Sequence, residues 1–85
     1  MNISKQEQRI LHILALGGSV HYLRRESGKI YEVTCYTREG NALSGCTLNT
    51  FKHLRRKKLI SSIKSQPYRI TKLGASSVQS QMMQR

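Results

Sequence analysis

Thr47-Leu48-Asn49-Thr50-Phe51-Lys52-His53-Leu54-Arg55-Arg56-Lys57-Lys58-Leu59-Ile60 is the stretch whose pattern organises the rest of the chain. Leu48, Phe51 and Leu54 recur every three residues and Leu59 returns to their side, so the spacing predicts a helix through Lys58 with Thr47 as its N-cap. At 100° per residue, Asn49, Lys52, His53 and Arg56 fall opposite the apolar face, at i, i+3, i+4 and i+7. Arg55 and Lys58 lie nearer the apolar arc, where their stems can pack while their charges reach water. This polar stripe has no acidic member.

On the C-terminal side, Leu59 to Ile63, the turn Lys64-Ser65-Gln66-Pro67 and Tyr68-Arg69-Ile70 read as a hairpin with a basic tip. Thr71 caps a last helix in which Ala75, Val78 and Met82 share a face and Leu73 falls outside it. On the N-terminal side, Ser4-x-x-Glu7 is a capping box ahead of Ile10, Leu11, Ile13 and Leu14, and Gly17-Gly18 stops that first helix. Val20 to Arg24 and Lys29 to Thr37 are rich in strand formers and flank Glu26-Ser27-Gly28, which predicts an antiparallel hairpin. Arg38-Glu39-Gly40-Asn41 is a turn, and Ala42-Leu43-Ser44 can add a short strand.

The predicted class is α+β, in the order helix, hairpin, helix, hairpin, helix. At 85 residues the chain forms one domain, 1–85. Within it, 1–45 are the helix and hairpin scaffold, 46–74 the basic helix and its following hairpin, and 75–85 a C-terminal helix with a fraying end.

Charge divides the chain unevenly. Of 15 Lys and Arg and 4 Asp and Glu, residues 1–39 hold six basic and four acidic groups, whereas residues 40–85 hold nine basic and none acidic. Nearly all of the formal net charge of +11 is therefore in the second half, as when one part builds the fold and another faces a polyanion. The longest apolar run is Ile13-Leu14-Ala15-Leu16, too short for a bilayer span or an export signal, so the expectation is a cytoplasmic protein with no membrane partner. In that compartment Cys35 and Cys46 are expected as free thiols, filling gaps beside Phe51 and Val33. Tyr22, Tyr31, Tyr36 and Phe51 are expected in the core.

Catalysis finds little footing. There is no Asp, so no Ser-His-Asp set, and the four Glu are scattered, which argues against a two-metal nuclease. Cys35, Cys46, His12, His21 and His53 lack the close spacing of a zinc site, and no cofactor motif appears. A metal-independent ribonuclease would need two histidines, such as His12 and His53, to meet at one phosphate. The expectation is a non-enzymatic protein with no metal and no cofactor. Its candidate nucleic-acid contacts are Lys52, Arg55, Arg56, Lys57, Lys58, Lys64 and Arg69 on phosphates, with Asn49 and His53 on base edges. The alternative is an interaction module whose basic face docks on an acidic protein.

Phe51, Leu54, Arg56, Lys57, Leu59, Ile60, Tyr68, Ile70, Thr71 and Gly74 resemble the recognition helix and wing of winged-helix domains. The strands expected over 19–44 depart from that pattern, because a winged helix places a helix there. A broader resemblance runs through Ser4 to Gln8, Leu11-His12, Leu14-Ala15, Cys35-Tyr36-Thr37-Arg38-Glu39-Gly40, Cys46-Thr47, Phe51-Lys52, Leu54, Lys57-Lys58-Leu59-Ile60 and Gln66-Pro67-Tyr68-Arg69-Ile70. In these the chain resembles the small bacterial YjhX family. The resemblance implies a toxin of a toxin–antitoxin pair that interferes with DNA topoisomerase, with an antitoxin protein and the topoisomerase as partners beside DNA.

Overall fold

The structure, a computed structural model, describes residues 2–83, with side chains described for residues 2–78. Its elements run α1 (Lys5–Ala15), β1 (Ser19–Arg24), β2 (Ile30–Tyr36), β3 (Ala42–Leu43), α2 (Leu48–Arg56), β4 (Ile60–Ser61), β5 (Arg69–Ile70) and α3 (Lys72–Met83). The described residues form a small α+β fold with three helices and two antiparallel sheets, β1-β2-β3 and β4-β5. The expected first hairpin is thus a three-stranded meander. Cys35 pairs with Leu43 and Tyr36 with Ala42 once the turn after Thr37 brings the chain back.

Each helix begins on the residue its cap chemistry marks. Ser4 Oγ accepts from the Glu7 amide at 3.1 Å while Glu7 Oε1 accepts from the Ser4 amide at 3.1 Å, satisfying two of the orphan donors of α1. Thr47 Oγ1 accepts from the Thr50 amide at 3.1 Å, and Thr71 Oγ1 from the Gly74 amide at 3.0 Å.

The end of α2 differs from the sequence expectation. The helix stops at Arg56, because Lys58 turns into the left-handed region at φ 61°. The Lys58 amide then donates to the Arg55 carbonyl and the Leu59 amide to the Leu54 carbonyl, both at 3.0 Å. These two bonds make a Schellman motif, with Leu54 and Leu59 at its ends both buried in the core. Glycine normally fills the position that Lys58 occupies here, so the stop carries no signal in the sequence.

The core gathers Ile10, Leu11 and Leu14 of α1, Val20, Ile30 and Cys35 of the first sheet, Phe51 and Leu54 of α2, and Leu59, Ile60 and Tyr68. Register explains the strand contributions. Val20 opposes Cys35 and Tyr22 opposes Val33 on the inner face, while His21 opposes Thr34 and Leu23 opposes Glu32 on the outer. The register shifts between Leu23 and Arg24, which lets Ile30 turn back into the core. The two sheets are joined where the Val20 and Tyr68 backbones exchange hydrogen bonds of 2.9 and 2.8 Å.

Two core expectations are corrected. Tyr31 is 42% exposed, with the Arg25 guanidinium stacked over its ring, and Tyr22 and Tyr36 are only half-buried. On α3 the inward positions are Gly74 and Val78, whereas Ala75 faces solvent; the side chain of Met82 lies outside those described. Gly74 is required where it stands, because a Cβ there would collide with the Leu59 carbonyl oxygen.

Candidate nucleic-acid interface

The apolar seam of α2 presses Phe51 and Leu54 into the core, and this fixes what the helix shows to solvent. Asn49, Arg55 and Arg56 are exposed, whereas Lys52 and His53, expected on the outward stripe, are half-buried, and Arg55, expected nearer the apolar arc, is open to solvent. The Arg55 guanidinium lies 5.3 Å from the centroid of the Phe51 ring, so its stem covers the core edge as its charge stays wet. Lys58 is exposed just beyond the helix, and its carbonyl accepts from Thr71 Oγ1 at 2.8 Å.

Lys57, expected among the phosphate contacts, is turned to the other side. Its Nζ donates to Glu7 Oε2 at 2.8 Å and to the Asn2 carbonyl at 2.6 Å. Glu7 is 4% exposed. Burial works against its charge, but the hydrogen bonds from Lys57 and Ser4 outweigh it and hold the carboxyl below its usual value of 4.5. Lys57 therefore ties α2 to α1 across 50 residues.

Lys64 and Arg69 sit at opposite ends of the β4–β5 hairpin. Lys64 and Ser65 both take left-handed backbone at φ 53° and 61°, in a turn closed by the Gln66 amide donating to the Ile63 carbonyl at 3.0 Å. Arg69 is exposed on β5, its Nη1 reaching the Gly17 carbonyl at 3.5 Å, and the stem of Arg38 packs against the same Gly17. Apart from Lys57, the sequence-marked cations thus fall into three groups: the outward side of α2 with its end, the hairpin tip, and the loop after α1. Arg38 is invisible to sequence reasoning because only the fold brings residue 38 against Gly17, whose carbonyl Arg69 also reaches.

No cluster of three or more His, Cys, Asp or Glu able to hold a metal occurs among the described residues. Cys35 is buried and Cys46 half-buried, and both are free thiols. They face each other; hydrogen bonding from Cys46 favours ionisation at Cys35 and raises the pKa of Cys46 itself. Among the described residues, no helix is long and apolar enough to cross a membrane.

Against known proteins, residues 1–85 match a family described as "Putative toxin of bacterial toxin-antitoxin pair". The chain is 62% identical over 85 residues to a UPF0386 protein of Aliivibrio fischeri, covering 100% of both chains. It is 54% identical over 82 residues to a UPF0386 protein of Ruegeria sp., and 52% identical over 82 residues to one of Beijerinckia indica, with 96% of each chain covered in both comparisons. No solved structure matches the chain.

Proposed function

Since the chain belongs to the YjhX toxin family, we propose that it acts by binding nucleic acid, DNA above all, without catalysing a reaction. Lys52, Arg55 and Arg56 on α2 and Lys58 just past its end hold phosphates, and Lys64 and Arg69 add contacts from the β4–β5 hairpin, which serves as the wing of a winged-helix-like domain. Asn49 and His53 face base edges. Lys57 works from behind, as a brace. The observation that carries this reading is the outward side of α2: exposed Arg55 and Arg56 flank no carboxylate, and the only ion pair among the described residues is that of Lys57 with Glu7. Unpaired cations on a rigid helix suit a chain of phosphates, whose counterions they displace.

Such binding would interfere with a DNA topoisomerase by covering its substrate. The family description also supplies a second partner, an antitoxin protein, and an acidic antitoxin surface would compete for the same cations. The test is Lys52→Glu with Arg56→Glu, titrated against duplex DNA over a salt series. The log–log slope should fall by about 2, roughly 0.9 for each phosphate no longer neutralised. Unchanged affinity and slope would remove α2 from the interface.

A further inference from the structure

Two segments far apart in sequence, neither part of α2, meet around Tyr22. Its hydroxyl donates to the Ser65 carbonyl at 3.0 Å, which fastens the turn of the β4–β5 hairpin to β1. The Arg24 guanidinium lies over the Tyr22 ring, 5.0 Å from its centroid, and its Nη1 donates to the Gly28 carbonyl at 3.2 Å. Behind Tyr22 the support continues edge to face, 5.3 Å to Tyr68 and 4.9 Å from Tyr68 to buried Phe51. Arg24 is thus exposed yet held by a stack of aromatic rings that begins in the core. The Ser62 hydroxyl, with the Arg24 charge beside it, also holds the Tyr22 phenol below the usual tyrosine range.

The turn that Tyr22 fastens is strained. A non-glycine residue in left-handed backbone costs about 1–2 kcal/mol, and Lys64 and Ser65 are two in succession. The strain displays Ile63, 72% exposed, beside exposed Lys64. Folding gains nothing evident from an apolar side chain in water on a strained tip, whereas a bound partner would meet both groups. Arg24 and Lys64 have no ion-pair partner among the described residues. Phosphate oxygens would satisfy the two cations, and the apolar face of a sugar or the floor of a minor groove would meet Ile63.

We propose that β1 and the Ile63–Gln66 turn form a second nucleic-acid-contacting arm, in which Arg24 and Lys64 grip phosphates and Tyr22 is the positioning residue that holds them together. This arm rests on the nucleic-acid reading above and extends it into the nearly neutral first half of the chain.

The experiment compares wild type, Arg24→Gln with Lys64→Gln, Tyr22→Phe, and the α2 pair Lys52→Glu with Arg56→Glu. Each binds a fluorescein-labelled 20-base-pair duplex in a salt series followed by anisotropy. The Arg24 and Lys64 pair should lower the salt slope by about 2 while the protein stays fully folded at the assay temperature, because both groups are exposed. Tyr22→Phe keeps the ring under Arg24 but frees the turn, so its slope should fall by about 1 as Lys64 releases its phosphate. If the α2 pair lowers the slope while Arg24→Gln with Lys64→Gln leaves it unchanged, the arm is overturned together with the Lys64 contact of the reading above, and the helix contacts stand. If no variant changes the slope, both readings fall.

Discussion

Glu7 and Lys57 meet as an ion pair of 2.8 Å between the first turn of α1 and the end of α2. The two oxygens of one carboxylate divide the work: Oε1 accepts from the Ser4 amide that opens α1, and Oε2 accepts from Lys57. Truncating the lysine leaves a buried carboxylate with half its partners. Lys57→Met should therefore lower stability by about 1–3 kcal/mol, read as a fall in the urea midpoint. Adding Glu7→Gln should recover part of that fall, since the stranded charge is then gone. Two independent, additive effects would show that the pair is not coupled.

The same carboxylate sets an acid limit. Its pKa in the folded chain lies below 4.5, so the unfolded chain binds a proton more readily at low pH. Stability from this group is complete above that value and is lost as pH falls through the folded-state pKa. Thermal midpoints measured below pH 5 should thus decline less steeply in Glu7→Gln than in wild type. Parallel acid limbs would assign the decline to other groups.

How much of this is legible in the sequence depends on range. The caps at Ser4, Thr47 and Thr71 and the apolar seam of Leu48, Phe51 and Leu54 involve neighbours within a turn or two, so spacing alone locates them. The inward turn of Lys57 depends on a partner 50 residues away, and the Tyr22 bond to Ser65 spans 43. Lysine carries no mark that separates an ion-paired brace from a solvent-facing charge. In sequence the candidate interface reads as a single sheet of cations, because charge is visible there and direction is not. Arg24, Arg38 and Tyr22 do not stand out because they belong to the half of the chain whose charges nearly cancel.

The helix stop offers a separation of stability from binding. Lys58 holds φ 61° at the Schellman position, a conformation that glycine adopts freely. Lys58→Gly should raise the stability by about 0.5–1 kcal/mol while reducing the salt slope for duplex DNA by about 1. A destabilised variant would mean that the Lys58 side chain, exposed though it is, supports the corner between α2 and β4.

Gly74 tests how closely α3 lies on that corner. Alanine would gain about 1 kcal/mol of helix propensity but must displace the Leu59 carbonyl, and its Cβ would also lie 2.7 Å from Ile70 Cγ1. Backbone yields less readily than a side chain, so Gly74→Ala should cost about 1–2 kcal/mol net in urea unfolding. An increase in stability would show that α3 can lift away from Leu59 freely.

Whether this basic surface meets a phosphate chain is read from the salt dependence of wild-type binding to duplex DNA between about 50 and 200 mM. Six cations, Lys52, Arg55, Arg56, Lys58, Lys64 and Arg69, each neutralising one phosphate, give an expected log–log slope of about −5. Arg24 would steepen it by about 1 more. A slope near zero, or no binding at the lowest salt, would contradict the account.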